Sequence, residues 1–177
     1  MTLLAPNPTD QNLLQGSKFT LNFDRLPYVQ FFVQEITLPG LSVDPTTLVT
    51  MFRNAPRAGN KIMYDPLVAE FIIDEQLLSW LSVRNWLNGI AFPESFEQYK
   101  NLSMQARIQM GAAQPQYSDA SVSIMSNKNN PIITFKFTDV FPISLTGIKL
   151  NVKDSALNVI TATAEFQFTS YDVKRIG

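Results

Sequence analysis

The sequence predicts a mainly β fold, an antiparallel β-sandwich or partly open barrel with one flanking α-helix. Three observations carry that expectation. Apolar and polar residues alternate with period two in several separate stretches, one stretch alone shows spacings of three and four, and Pro, Gly and Asn punctuate the rest.

Residues 1–17 are polar with scattered Leu and two prolines, and read as an extended N-terminal arm; 18–177 then form a single β domain. The arm has no basic region followed by an apolar run, so a signal peptide is not expected. In Lys18–Asp24, Phe19, Leu21 and Phe23 face one way and Lys18, Thr20 and Asn22 the other. Leu26-Pro27 marks a turn. Val29–Leu38 reads as a longer strand covered on both faces, since Phe31 and Phe32 are adjacent, and Pro39-Gly40 ends it. Between Leu41 and Tyr64 the pattern breaks up, with a strand over Thr46–Arg53 and a Pro/Gly loop over Asn54–Asn60. Leu67–Ile73 alternates again.

Asp74 or Ser79 starts the one clear helix, which runs to about Asn88 with Leu77, Trp80, Val83, Leu87 and Ile90 on one stripe; Trp86 lies off it. Asn88-Gly89 followed by Pro93 stops it. Lys100–Tyr117 reads as a long irregular loop, of the kind that is usually functional or bound to something. Strands come next at Ser118–Met125 and Ile132–Thr138, then a short segment around Ile148–Val152, then a terminal strand of unusual length over Val159–Val173. In that strand Ile160, Ala162, Ala164, Phe166 and Phe168 alternate with Thr161, Thr163, Glu165, Gln167 and Thr169.

Composition removes whole classes of chemistry. The 177 residues include no His and no Cys, so His-based acyl transfer, thiol nucleophiles, zinc held by imidazole or thiolate, iron–sulfur clusters and disulfides are excluded. A metal would need oxygen ligands, and no metal or cofactor site is predicted. A net charge of −1 lacks the basic surplus of a dedicated nucleic-acid binder. No run of apolar residues is long enough for a membrane-spanning helix. Charged residues make up only 16%, which points either to surface covered by partners or to compositional scatter.

Carboxylates are the remaining catalytic currency. Asp74-Glu75, and Glu94 with Glu97, would need to converge across a cleft to act as a glycosidase pair. Helix capping by Asp74 and a solvated turn for Glu94 and Glu97 account for them better. No phosphate-binding loop, dinucleotide fingerprint, GxSxG, SxxK or calcium-loop spacing occurs. No catalytic residue is assigned and an enzyme is not expected. Thirteen Phe could suggest stacking platforms, but most alternate with polar residues on strands, the pattern of a core. The polar faces of the first and last strands are rich in Thr, Asn, Gln and Ser with few charges, where solvent-facing strands use Lys and Glu more freely. Such faces suit continuation into a larger sheet, the lining of a channel, or plain solvation.

Leu38-Pro39-Gly40 follows a strand, and Tyr64-Asp65-Pro66-Leu67 enters the next. Asp74-Glu75 leads to a helix carrying Trp86-Leu87, and Asp139-Val140-Phe141-Pro142 precedes Leu145, Ile148 and the long terminal strand. In this order and spacing, over roughly residues 18–173, the chain resembles the tail-tube protein family of contractile-tailed phages, which is related in fold to secretion-system tube proteins. The resemblance implies a structural subunit of the virion tail, assembled in the host cytoplasm. Hexameric rings would stack into a tube, long strands would join around a lumen, and DNA would pass without sequence-specific binding. Partners would be the chain itself, sheath proteins and baseplate proteins, with no membrane. A baseplate-proximal ring on which the tube begins is the alternative within the family. Thr161, Thr163, Glu165, Gln167 and Thr169 are the lumen candidates, and Gly111, Ala112, Ala113, Gln114 and Arg57 the inter-subunit loop candidates. Outside the family, a β-sandwich binding module or a carboxylate-dependent hydrolase would need an exposed aromatic platform or two converging acids.

Overall fold

The computed structural model describes residues 13–14, 16–91, 95–110 (backbone only over 105–110), 116–151 and 159–176. The candidates Gly111, Ala112, Ala113 and Gln114, most of the N-terminal arm, Glu94 and Val152 lie outside the described residues.

The strands are β1 (Phe19–Phe23), β2 (Val33–Thr37), β3 (Leu41–Val43), β4 (Thr46–Val49), β5 (Asn54–Arg57), β6 (Ile62–Tyr64), β7 (Leu67–Ile72), β8 (Ser118–Met125), β9 (Pro131–Leu145), β10 (Thr161–Gln167) and β11 (Ser170–Arg175). The helices are α1 (Pro27–Phe32), α2 (Leu78–Ala91) and α3 (Phe96–Met110). Seven strands form one antiparallel sheet in the order β1-β8-β9-β10-β7-β2, with β11 also on β9. The mainly β, antiparallel reading holds, with two helices more than the one expected.

β9 carries the architecture because it serves two leaves. Its first part pairs with β8 and β11, and its last residues, Phe141–Leu145, pair with β10. The bend falls at Asp139, whose φ of 56° is a backbone region that non-glycine residues rarely adopt. A second irregularity between Glu165 and Phe166 lets β10 follow the turn. The first leaf is thus β1, β8, the start of β9 and β11; the second is the end of β9, β10, β7 and β2. Strands that switch sheets through bends in this way make the corners of a sandwich.

Aromatic side chains fill the space between the leaves. Phe23 of the first leaf and Phe166 of the second lie 4.9 Å apart between ring centroids, and Phe137 meets Phe168 at 5.0 Å. Leu67, Ala69 and Phe71 of β7 and Ala162, Ala164 and Phe166 of β10 are buried, as their period-two pattern requires.

Several expectations are corrected. Val29–Leu38 is not one strand: Pro27, with its φ fixed for a first helical position, opens α1, which buries Val29, and β2 begins only at Val33. Asn54–Asn60 is not wholly loop, since Asn54–Arg57 is β5 and pairs with β4, while Thr50–Arg53 is the turn between them. Lys100–Tyr117 is mostly the end of α3; from Phe96 to Met110 the chain has neither Gly nor Pro and carries three Gln and two Met beside single Glu, Lys, Leu, Ala and Arg residues, all of which favour helix. The terminal strand is two strands, broken at Phe168-Thr169 where the chain crosses between leaves, and Val140–Leu145 belongs to β9.

The helix at 78–91 continues past Gly89, and its buried line is Ser79, Val83, Trp86 and Gly89, so Trp86 is core. The indole of Trp86 donates to the Gln116 carbonyl at 3.0 Å, and Arg25 stacks on its ring at 5.1 Å. Burial pulls the Arg25 guanidinium down to about 10. Gly89 serves close approach: a Cβ there would stand 2.9 Å from Leu102 Cβ, so its absence lets α3 dock on α2.

Candidate assembly surfaces

Three surfaces are left over once the core is accounted for. The first is the outward face of the second leaf. Opposite the buried residues of β7 and β10 lie Val68, Glu70 and Ile72, and Thr161, Thr163, Glu165 and Gln167. The register sets Glu70 beside Glu35 of β2 on one side and Thr163 on the other, and Glu165 beside Ser144 of β9 and Val68. Three carboxylates therefore share this face, while the four strands of the leaf contain no Lys or Arg. Four of the lumen candidates thus lie together on one face as their alternation required. Thr169 lies beyond the end of β10, exposed, its amide bonded to the Thr138 carbonyl at 3.1 Å. Sequence reasoning missed Glu35 and Glu70; the alternation over Leu67–Ile73 already carried the signal for Glu70.

The outward face of the first leaf is built differently. Asn22, Ser121, Lys136 and Asp172 form one cross-strand row, and Thr20, Ser123, Thr134 and Lys174 the next. Charges of both signs sit on it, and Ser123 and Thr134 share a hydroxyl hydrogen bond of 2.9 Å.

The second surface is an arm. The chain leaves β2 at Thr37 and returns into β7 at Leu67; between them β3 pairs with β6, and β4 with β5. Every residue from Leu41 to Asn54 is exposed. The arm is ordered by its own contacts: Gly59 packs so closely that a Cβ would collide with the Asp44 carbonyl, and Tyr64 stacks on Phe168 and Tyr171 at its base. Arg57, the remaining inter-subunit candidate, is on this arm opposite Thr46.

The third surface is an apolar groove of about 460 Å³ at the far end of the second leaf, between the segments after β7 and after β9 and the segment before β10. Asp74 stands at its lip, but as a cap: its carboxylate accepts from the Leu78 and Ser79 amides, both at 3.0 Å, and from the Ser79 hydroxyl at 2.8 Å. Desolvation pulls its carboxyl upward, yet the hydrogen bonds from Ser79 and Leu78 hold it below the ordinary carboxylate range. It is committed to α2 rather than to chemistry. Glu97 sits in the exposed first turn of α3. Among the described residues no group of three or more acidic, His or Cys side chains is placed to hold a metal, and no helix is long and apolar enough to cross a membrane.

A sequence profile described as "Phage tail tube protein" matches residues 5–174, nearly the whole chain. The chain belongs to the phage tail tube protein family. This family member is similar to the tail tube terminator protein of Enterobacteria phage T4, at 24% identity over 165 residues, covering 91% of this chain and 81% of that protein. Solved structures share the fold at lower identity. A chain of the anti-feeding prophage tube terminating cap superposes with a TM-score of 0.65 at 11% identity, over 99% of both chains. A chain of the anti-feeding prophage baseplate does so with a TM-score of 0.62 at 12% identity, over 94% of this chain and 99% of that one.

Proposed function

We propose that the chain is a structural subunit of a contractile tail tube, that copies of it close into hexameric rings, and that the outward face of the second leaf lines the channel through which DNA leaves. The observation that carries this reading is the absence of any Lys or Arg on the strands of that leaf, with Glu35, Glu70 and Glu165 among Thr, Ser and Gln. Duplex DNA binds cationic surfaces by releasing its counterions, so a lining with carboxylates and hydroxyls gives it nothing to hold. The two edges of this leaf, β2 and the end of β9, have no further strand partner among the described residues. Pairing them between copies removes both hazards of open edges. The anti-feeding prophage baseplate that shares the fold is sixfold symmetrised, which supports the ring number. Sheath and baseplate proteins are the further partners.

A second reading, a ring that ends the tube, is favoured by the terminator of phage T4 and the tube terminating cap named above.

Electron microscopy of the purified protein, followed by binding of a labelled DNA duplex to the assemblies, tests the first reading. Wild-type rings should not retain the duplex. Glu165→Lys, whose cross-strand neighbours Val68 and Ser144 are uncharged, should leave the rings intact and make them retain DNA in a salt-dependent way. No rings under any condition, or equal DNA binding by both proteins, would sink the assignment.

A further inference from the structure

Besides the three surfaces above, a polar cleft of about 360 Å³ opens between α2 and α3. Its volume falls in the range of pockets that hold small ligands. Asn85 and Asn88 lie one turn apart on α2, and Gln98 and Asn101 one turn apart on α3. Each helix therefore presents a pair of carboxamides to the space between them. Gly89 and Leu102 form the floor, where the missing Cβ of Gly89 lets the two helices approach. Arg84, next to Asn85 in the chain, completes the lining.

The cleft stands away from the carboxylate face of the second leaf. Trp86 of α2 packs on Phe166 at 6.3 Å between ring centroids, and Phe166 points to the side of β10 opposite Glu165.

The lining has one positive charge, four carboxamides and no carboxylate. Arg84 makes no ion pair, and the side chains of Asn85, Asn88 and Asn101 no hydrogen bond, among the described residues. Their bonding capacity is open to a ligand. The Arg84 guanidinium rests 6.0 Å from the Trp80 ring centroid, and that indole is itself fixed by donating to the Thr146 carbonyl at 3.0 Å. A guanidinium offers a planar fork of donors that meets an oxyanion with two bonds at once. Carboxamide nitrogens add donors for the remaining oxygens, and carboxamide oxygens accept from hydroxyls. A ligand carrying both kinds of group uses the whole lining.

We propose that this cleft binds a small hydroxylated oxyanion, of the class of sugar phosphates and hydroxy acids. Arg84 takes the anionic group, and Asn85, Asn88 and Asn101 hold the hydroxyls. A neutral sugar has no charge to give Arg84, and a bare anion leaves carboxamides unused, so both bind more weakly. The site is complete within one chain, so the inference stands apart from the tube reading.

Equilibrium dialysis of the full chain against radiolabelled glucose 6-phosphate tests it, in monomer and assembly alike. Wild type should bind the label saturably, with a dissociation constant below about 1 mM. Citrate should displace the label, inorganic phosphate should need a higher concentration than unlabelled glucose 6-phosphate, and glucose should not displace it. Arg84→Gln should weaken binding at least about tenfold, and so should Asn101→Asp, which keeps the shape of the wall but adds a negative charge. Lys136→Gln removes an exposed charge on the first leaf and should leave binding unchanged. Denaturation midpoints close to wild type establish that each variant is folded. Absence of saturable binding, displacement by glucose, or undiminished binding by Arg84→Gln or Asn101→Asp would overturn the inference. Equal weakening by Lys136→Gln would overturn it too, because the anion would then be answering to net charge and not to the cleft.

Discussion

β7 and the arm that leads into it are both strand, both rich in residues that favour strand, and adjacent in sequence, yet they do opposite things with their apolar side chains. In β7, Leu67, Ala69 and Phe71 are completely buried and alternate with half-buried neighbours. In β3 and β4, Leu41, Val43, Leu48 and Val49 are all exposed. A strand that completes its own core alternates, because one face only is covered. A strand that projects from the domain has no buried face until a second molecule supplies one. Apolar content alone therefore does not mark the core of an assembling protein; alternation does.

The largest effect should come from breaking the core side of that contrast. Phe166 is fully buried, tilted against Phe23 at 4.9 Å and against Trp86 at 6.3 Å, so it joins both leaves and α2. Phe166→Ala should lower stability by about 3–5 kcal/mol. Denaturant titration below the assembly concentration measures it. A loss under about 1 kcal/mol would mean that the leaves do not meet there.

A smaller effect belongs to the junction between strand and helix. Leu77 adopts a φ of 58°, and the hydrogen bonds of Asp74 to Leu78 and Ser79 hold that strained entry to α2 in place. Asp74→Ala should cost about 1 kcal/mol. Because the fold holds the Asp74 carboxyl below its ordinary range, its contribution is present above the unfolded value, near 4, and fades as pH falls through the folded value. The difference between wild type and Asp74→Ala should therefore shrink below about pH 4. A difference that stays constant down to about pH 2 would mean that the charge of Asp74 is not what caps the helix.

The same contrast explains what can be read from the sequence. Lys18–Asp24, Leu67–Ile73 and Ala162–Phe168 are legible because one covered face writes a period of two, and the polar partners of that pattern give Thr161, Thr163, Glu165 and Gln167 as a common face. The capping role of Asp74 is legible because it is local. α3 is not, since its apolar residues make no continuous stripe and its neighbours Gly111–Pro115 suggest loop throughout. α1 is hidden by Phe31 and Phe32, which look like a doubly covered strand; in fact Phe31 is exposed and the two rings pack edge to face at 5.0 Å. Trp86 falls off the sequence stripe because that stripe is phased on Leu77, which lies outside the helix. Glu35, Met51 and Phe52 need the register and the turn, which depend on contacts distant in sequence.

The smallest effect on folding is expected at the arm's tip, and it is the sharpest form of the comparison. Met51 and Phe52 are as open to solvent in the folded chain as in the unfolded one, so their transfer free energy enters both states alike and cancels. Met51→Ser with Phe52→Ser should therefore leave the denaturation midpoint within about 0.5 kcal/mol of wild type when the protein is dilute. Concentration changes the outcome, because association with a second folded copy stabilises the folded state by mass action. The wild-type midpoint should rise as protein concentration increases, and the midpoint of the double variant should rise less. A variant that is destabilised even when dilute would put the tip against its own domain. One that keeps the full concentration dependence would show that association does not use the tip, and the division between a strand that folds and a strand that assembles would have to be drawn elsewhere on the arm.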